Sequence, residues 1–277
     1  MSSVNTNRGA MIALQNLNST NRDLFQTQNA ISTGLKVATA KDNGAIWAIA
    51  NKMRSDISAY DRVVESNANA SAKVDVAIAA AESIMELLND MKGKALAGSQ
   101  PGTSASALAA LNADFIQTRD QVTSIINNSV FDGANMTNGA ATVNSAISLG
   151  DSAGGNNITV AGANIGLGGS IVTVTTTSDV TSTANSLTTL GQVEASIVSL
   201  GTQLATWGAG SKRLDMHKQF VTKLQDAINS GVGALTDADL SKESAKLQAF
   251  QTKQQLGIQA LSIANGASQS ILSLFRN

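Results

Sequence analysis

The apolar positions near the start of the chain recur at alternating intervals of three and four residues. The series consists of Leu14, Leu17, Leu24, Ile31 and Leu35, and the polar Asn21 and Gln28 complete it. This spacing is typical of the narrow seam of a coiled coil. Gly34 lies where a helix would stop, because the left-handed residue that follows a last turn is usually glycine. The pattern predicts an N-terminal helix over residues 1–34.

A charged segment flanked by glycines, GLKVATAKDNGA, follows this helix. Either Asp42 or Asn43 can cap a new helix, because both side chains accept hydrogen bonds from N–H groups of a first turn. We predict a joint over residues 35–43, with Lys36 to Lys41 crossing it in an extended conformation.

A second apolar series continues for about forty residues without a slip in its spacing. Its members are Ala50, Met53, Ile57, Tyr60, Val64, Asn67, Ser71, Val74, Ile78, Ala81, Met85 and Leu88. A heptad repeat of this length indicates a long helix that packs along its neighbours by knobs into holes.

A shorter helix with Leu108, Leu111, Phe115, Val122 and Ile125 on one face is expected to fold back antiparallel after GSQPGTS. VFDGAN then predicts a hairpin turn. Residues 44–136 thus form the first part of an outer helical bundle.

Residues 137–186 differ in composition, being rich in Gly, Ser, Thr and Asn. Short alternations at 158–160 and 171–174 predict a small β-rich or irregular insertion at the surface. A flexible linker of low complexity is the alternative.

Helical periodicity returns in residues 187–230, the second part of the bundle. The positions in register are Leu187, Leu190, Val193, Ile197, Leu200, Leu204, Trp207, Leu214, Val221 and Ile228. A second joint is expected over residues 231–239, where Gly231 and Gly233 would break the helix and Asp237 or Asp239 would cap the next one.

The C-terminal helix, residues 240–277, is apolar over more than half of its circumference. Its large apolar residues are Leu256, Ile258, Leu261, Ile263, Ile271, Leu272, Leu274 and Phe275. The fold class that follows is mainly α: a long antiparallel coiled-coil-like helical bundle with paired terminal helices and a small β-rich insertion.

Composition removes most chemical functions. The chain has one proline, one histidine and no cysteine, so disulfides and cysteine nucleophiles are excluded. His217 has no catalytic partners at a suitable spacing, and TDADLSKESA lacks the glycine and the final glutamate of a calcium loop. No Lys or Arg lies between Arg119 and Lys212, which argues against nucleic acid as a partner. We therefore expect no enzyme, no metal and no cofactor.

The terminal helices point to assembly. Residues 256–275 carry no charge over a length that could span a bilayer, but the polar residues scattered through them argue against membrane insertion. The apolar surface of both terminal helices is too large for a monomer to expose, so it should be buried against other copies. A shared interior built in this way makes the assembly helical and open-ended.

STGLKVATAKDNGAIWAIANKM closely resembles the joint motif of bacterial flagellins, and matches it at Ile31 to Gly34, Ala40 to Asp42 and Ala48 to Asn51. VNTN, GAGSKRL, LTDADLSKE and the closing QSILSLF resemble the family as well. Asn43, Trp47 and Ala38 depart from the pattern but keep its spacing. The chain is thereby identified as a member of the flagellin family, in a short form with a small central insertion.

The resemblance implies a structural subunit that polymerises into the extracellular flagellar filament. Its further partners would be an export chaperone, the flagellar type III export apparatus, and the cap and hook-associated proteins. The apolar residues of the two terminal helices become the expected assembly interface. The two segments that connect the terminal helices to the bundle become the joint. The joint residues are Gly34, Lys41, Asp42, Gly231, Gly233, Asp237 and Asp239. The hydroxyls of the insertion that are candidate O-glycan acceptors are Thr173, Thr175, Thr176, Thr177 and Ser178.

Two other functions fit the same helical pattern. A hook–filament junction protein shares such terminal helices, and a soluble coiled-coil adaptor or chaperone could use apolar ends to bind client helices.

Overall fold

The computed structural model describes residues 6–146 and 157–274, and the side chains of the last helix as far as Gly266. In these ranges the chain forms five helices and a two-stranded sheet. In chain order they are α1 (Arg8–Thr33), α2 (Gly44–Gly98), α3 (Ala105–Asn128), β1 (Thr142–Ala146), β2 (Asn157–Ala161), α4 (Thr183–Thr236) and α5 (Leu240–Leu274). The mainly α fold predicted from the sequence is confirmed.

The residues group into two compact units. Met1–Ile57 and Asp226–Asn277 form one, called the terminal unit below, and Ser58–Gln225 forms the other, the central unit. The helices α2 and α4 each have residues in both units. The terminal unit contains the start of α2 and the end of α4, and the central unit contains the rest of both.

In the central unit, α2 and α4 run antiparallel with a constant register. Side chains meet at Asp61 with Gln225 (2.8 Å), Asp75 with Ser211 (3.2 Å) and Lys92 with Glu194 (2.9 Å). Each step along α2 is matched by an equal step along α4 in the opposite direction. Such a register needs helices that keep a seven-residue repeat, which is what their sequences show.

The core of the central unit is wider than the predicted series, because half-buried residues such as Ile78 and Met85 flank a seam of buried ones. Its buried positions on α2 are Val63, Asn67, Ala70, Val74, Ala77, Ala81, Ile84, Leu88, Met91 and Ala95. The predicted Asn67, Val74, Ala81 and Leu88 belong to it, whereas Ile78 and Met85 are only half-buried. The core is wide because α2 contacts α4 on one flank and α3 on the other, where Lys94 donates to Thr118 at 2.7 Å.

One predicted core position of α4 is wrong. Leu187 is 58% exposed, and the buried neighbour at this level is Ser186. The helix begins at Thr183, and its buried positions follow at seven-residue intervals from Ser186 through Val193, Leu200 and Trp207. Ser186 suits this place because its hydroxyl lies close to Gly98 of α2, where a larger side chain would not fit.

The insertion packs onto the helices instead of forming a flexible linker in its described part. β1 and β2 pair antiparallel, with Val143 opposite Val160. The buried indole N–H of Trp207 donates to the backbone carbonyl of Ala161 at 2.9 Å. Gly210 of α4 allows Val160 to approach, since a Cβ there would lie 2.9 Å from a methyl group. α4 thus holds one strand of the hairpin by a hydrogen bond and by close packing.

A buried polar contact holds the other strand. Ser145 of β1 donates to the side chain of Asn67 at 2.9 Å, and the amide of Asn67 donates in turn to the Val63 carbonyl. Both side chains are fully buried and both are hydrogen-bonded, so neither pays the cost of an unpaired polar group. Asn67 is therefore a polar member of the helical seam with a partner in the insertion.

In the terminal unit, α1 pairs with α5 along its length. Asn7 caps α1 by accepting from Ala10 N at 3.0 Å, and its amide donates to the Ala264 carbonyl of α5 at 2.7 Å. Further along, Gln254 donates to Asn21 at 2.8 Å. These contacts confirm the predicted pairing of the two terminal helices.

Candidate assembly surface and joint

The first joint begins where the sequence predicts that α1 ends. Gly34 follows the last turn in the left-handed conformation, with φ of 72°. Leu35 then pairs with Asp237 in an antiparallel bridge, flanked by bonds of 2.8 Å from Lys36 N to the Thr236 carbonyl and from Ala238 N to the Gly34 carbonyl. The two connecting segments of the terminal unit are thus hydrogen-bonded to each other.

Asp42 closes a turn inside the joint, and Asn43 caps α2. One carboxylate oxygen of Asp42 accepts from Ala38 N at 3.1 Å and from Thr39 N at 2.8 Å, while Asn43 accepts from Ile46 N at 3.1 Å. The bond from the Thr39 N–H is the main reason that the pKa of Asp42 lies below its usual value. The expectation of an extended crossing over Lys36 to Lys41 is therefore wrong at its end, because residues 39–42 form a turn.

The second joint is shorter than predicted. Gly231 and Gly233 do not break the helix, because α4 continues through both to Thr236. Their role here is close packing: a Cβ on Gly231 would lie 3.0 Å from Met53 Cε, and one on Gly233 would lie 2.7 Å from an oxygen of Asp237. Glycine costs about 1 kcal/mol in a helix interior, and α4 continues through both positions despite that cost.

α5 begins at its predicted cap. Asp239 accepts from Ser241 N at 3.0 Å and from Lys242 N at 3.1 Å, which is the geometry of an N-cap. Asp237, the other capping candidate, instead continues the hydrogen bonding of α4 through its backbone N–H to Gly233.

The seam between α1 and α5 contains only part of the predicted interface. Leu24 is buried, Leu17, Ile31, Leu35 and Leu261 are half-buried, and Leu14 is exposed. The predicted polar member Gln28 is exposed, and Thr27 takes its place in the seam. Phe275 and the side chains of Ile271, Leu272 and Leu274 lie outside the described residues.

Several large apolar side chains of both helices point away from this seam. On α5, Ile263 is 74% exposed, and Leu256 and Ile258 are also more exposed than buried. On α1, Phe25 is 67% exposed, and Met11 and Ile12 behave alike. The sequence analysis missed these three residues of α1 because they lie beside the series with three–four spacing, and their size and lack of charge were the signal that could have revealed them.

The candidate glycan acceptors are not equivalent. Thr173 donates to the Gln192 carbonyl at 2.9 Å, and the buried Ser178 donates to the Gln192 side chain at 2.6 Å. Thr175 is half-buried and bonds to Ser178. Of the five, only Thr176 and Thr177 are exposed. Their loop is held in place by Arg119, which donates to the backbone carbonyl of Thr176.

The described residues contain no group of side chains arranged to hold a metal ion. None of the described helices combines the length and the apolar character that a bilayer crossing requires. What the surface offers is exposed apolar area on two paired helices and a hydrogen-bonded joint. These features define a helical structural protein of the self-assembling class.

Comparison with known proteins identifies the family. The model for the bacterial flagellin N-terminal helical region matches residues 4–142, and that for the C-terminal helical region matches residues 190–275. The chain belongs to the bacterial flagellin family, and it is a structural subunit of the helical flagellar filament.

Individual relatives agree with this assignment. Flagellin FljM of Caulobacter vibrioides is 46% identical, over 100% of this chain and 99% of its own length. Flagellin of Brucella melitensis is 39% identical, over 100% of both chains. A solved structure of a putative flagellar hook-associated protein from Vibrio parahaemolyticus covers 71% of this chain and 100% of its own, with a TM-score of 0.56 and 13% identity. That identity shows a shared fold alone, so the comparisons do not favour a hook–filament junction protein.

Proposed function

We propose that copies of this chain meet through the outward faces of α1 and α5, and that the filament lies outside the cell. We further propose that the chain reaches this place through an export chaperone and the flagellar type III apparatus, and that it contacts cap and hook-associated proteins. The absence of cysteine supports passage as an unfolded chain, because no disulfide has to form or break. The role is structural, without enzymatic activity or cofactor.

The exposed apolar residues of the terminal unit carry this proposal. A soluble monomer rarely exposes a contiguous apolar patch of more than a few hundred Å². Here eight large side chains, four on the described part of each helix, stay exposed although the helices are already paired: Met11, Ile12, Leu14, Phe25, Leu240, Leu256, Ile258 and Ile263. Full burial of such a side chain contributes about 1.5–3 kcal/mol, so burial of the whole set favours association.

The joint supports the same arrangement. The bonds between Lys36 and Thr236 and between Gly34 and Ala238 hold the two connecting segments together. A joint fixed in this way keeps α1 and α5 paired as they enter the assembly, so their exposed faces are presented as one surface. We propose that Gly34, Lys41, Asp42, Gly231, Gly233, Asp237 and Asp239 serve this purpose.

The interface is tested by substitutions that replace an exposed apolar side chain by a polar one. Phe25→Gln and Ile263→Gln should each raise the critical concentration for polymerisation at least about tenfold, corresponding to about 1.4 kcal/mol. Val198→Gln is the matched control, because Val198 is as exposed as these residues but lies on α4 in the central unit. Circular dichroism of the monomers should be unchanged in all three.

Sedimentation and electron microscopy of the polymers measure the effect. Wild-type polymerisation by either α1 or α5 variant would contradict the proposed interface. An equal loss in the Val198 control would also contradict it, since the effect would then not be specific to the terminal helices.

We also propose Thr176 as the acceptor if the filament carries O-glycans. Its side chain is exposed, and its hydroxyl makes no hydrogen bond in the described part of the chain, whereas the Thr177 hydroxyl lies 3.0 Å from that of Thr175. An intact mass above the sequence mass that reverts in Thr176→Val would support this assignment, and an intact mass equal to the sequence mass would exclude it.

A further inference from the structure

The two units carry opposite net charge. By sequence, Met1–Ile57 and Asp226–Asn277 contain ten Lys and Arg against seven Asp and Glu. Ser58–Gln225 contains nine Lys and Arg against thirteen Asp and Glu. The terminal unit is therefore positive by three charges and the central unit negative by four. In a polymer of identical chains, this asymmetry favours contacts between the terminal unit of one copy and the central unit of another.

A groove in the terminal unit concentrates the positive charge. It has a volume of about 850 Å³ and lies between the second half of α1 and the folded-back joint. Three of its lining residues are the cations Arg22, Lys36 and Lys41, and the exposed Phe25 lies beside them. Its one acid, Asp42, is already engaged by the N–H groups of Ala38 and Thr39.

Two of the three cations are available to a partner. The ammonium group of Lys36 donates to the Ala234 carbonyl at 3.1 Å. Arg22 and Lys41 are exposed, and within residues 6–146 and 157–274 neither is in an ion pair. The groove therefore presents the charges of Arg22 and Lys41 next to the ring of Phe25. Such a groove can bind a carboxylate that is surrounded by weakly polar residues.

The central unit contains such a surface on α2. Between Lys73 and Lys92 the helix has four acids and no base. Asp75 accepts from Ser211 and Asp90 from Lys94, but Glu82 and Glu86 are exposed and have no ion pair among the described side chains. Two like charges four residues apart repel each other by a few tenths of a kcal/mol. A cationic partner would remove this repulsion.

We propose that the groove beside the joint receives Glu82 and Glu86 on α2 of a second copy of the chain. Both surfaces are present once in every subunit, so each copy in a filament can offer its groove to one neighbour and its acidic segment to another. A contact of two different surfaces can repeat from copy to copy without closing, as an open helical assembly requires. Exposed ion pairs add little energy, but the opposite charges steer association and fix the register between copies. The inference rests on the filament function.

Charge reversal tests this contact. Lys41→Glu and Glu86→Lys should each raise the critical concentration for polymerisation by about tenfold at low salt. The double variant should return it to within about twofold of wild type, because it restores opposite charges in exchanged positions. Asp215→Lys is the control, since it reverses an exposed acid on α4 outside the acidic segment. It should leave the critical concentration near the wild-type value.

Three results would overturn the inference: normal assembly of the single variants, a loss as large in the Asp215 control, or a double variant that is no better than the singles. Normal assembly of the Lys41 variant would mean that the groove serves a different ligand. Failure of the wild-type chain itself to form filaments would instead refute the filament function, so the two failures are distinguishable.

A cross-link tests the same contact without relying on the affinity of the variants. The chain has no cysteine, so a chain with Lys41→Cys and Glu86→Cys carries only the two introduced thiols. Mild oxidation of its polymers should give a ladder of covalent multimers, because a disulfide needs Cβ atoms about 4 Å apart. Lys41→Cys with Asp215→Cys is the control and should give none. A ladder in both chains, or in neither, would contradict the proposed contact.

Discussion

Trp207 provides the sharpest test of how the insertion is held on the helices. It is fully buried in the core of the central unit, and its indole N–H donates to the Ala161 carbonyl of β2 at 2.9 Å. Trp207→Phe keeps an aromatic ring but removes the donor and the outer part of the indole. The Ala161 residue is exposed, so losing this hydrogen bond costs about 1 kcal/mol, and the space left by the smaller ring adds about 1 kcal/mol. We expect a loss of about 2 kcal/mol.

Urea unfolding of the monomer, followed by circular dichroism, measures this loss. For a slope of about 2–3 kcal/mol per molar urea, the midpoint of the transition of the central unit should fall by about 1 M. Trp47→Phe is the matched control, because Trp47 is half-buried and lies in the terminal unit. It should leave that transition unchanged. A midpoint for Trp207→Phe within about 0.2 M of wild type would refute the view that the indole anchors the insertion.

Four further predictions follow from local geometry. Gly210→Ala should destabilise the central unit by about 1–3 kcal/mol in the same urea experiment, because the stiff Val160 cannot move away from the new methyl group. Gly231→Ala should instead be neutral within about 1 kcal/mol, since the flexible end of Met53 can yield and alanine favours the helix. Because the pKa of Asp42 is lowered by folding, its contribution is present above its unfolded pKa and lost as the pH falls through the folded one. The higher thermal midpoint of wild type over Asp42→Asn at pH 6 should therefore shrink as the pH falls below the ordinary aspartate value of 3.8; a difference that stays constant in this range would contradict the assignment. Inserting two residues between positions 37 and 38 should leave the circular dichroism of the monomer unchanged but shorten or abolish filaments in electron micrographs, and normal filaments would show that the joint is only a linker.

Caps and turns could be predicted from the sequence because they depend on a few neighbouring residues. Gly34 ends α1 and Asp239 caps α5, as their types suggest. Asp132 and Gly133 both have positive φ in the hairpin turn between Phe131 and Ala134, which the Asp-Gly pair predicts.

Features that depend on distant packing could not be predicted in this way. Gly231 reads locally as a helix breaker, but α4 continues through it, and its close neighbour Met53 comes from α2, far away in the sequence. The width of the core along α2 depends on whether one helix or two pack against it, and the spacing of apolar residues fits both cases. Nothing in the sequence distinguishes Thr176 from the hydroxyls beside it, because their exposure is decided by contacts with α4.

The placement of apolar residues on α5 shows that this helix is adapted to more than its partner α1. The half-buried positions of α5 keep strict four–three spacing. They are Glu243, Leu247, Phe250, Gln254, Gly257, Leu261 and Ala264. Three of these seven are charged, polar or glycine, whereas Leu256, Ile258 and Ile263 lie off the seam and remain exposed. A helix that served only its own chain would gain about 1.5–3 kcal/mol by burying each such side chain. The central unit also exposes apolar residues such as Val198 and Phe220, but its seam is filled by large ones, with Leu88, Leu200 and Leu214 fully buried. The terminal unit leaves this apolar surface outside, where its burial becomes available only when copies assemble.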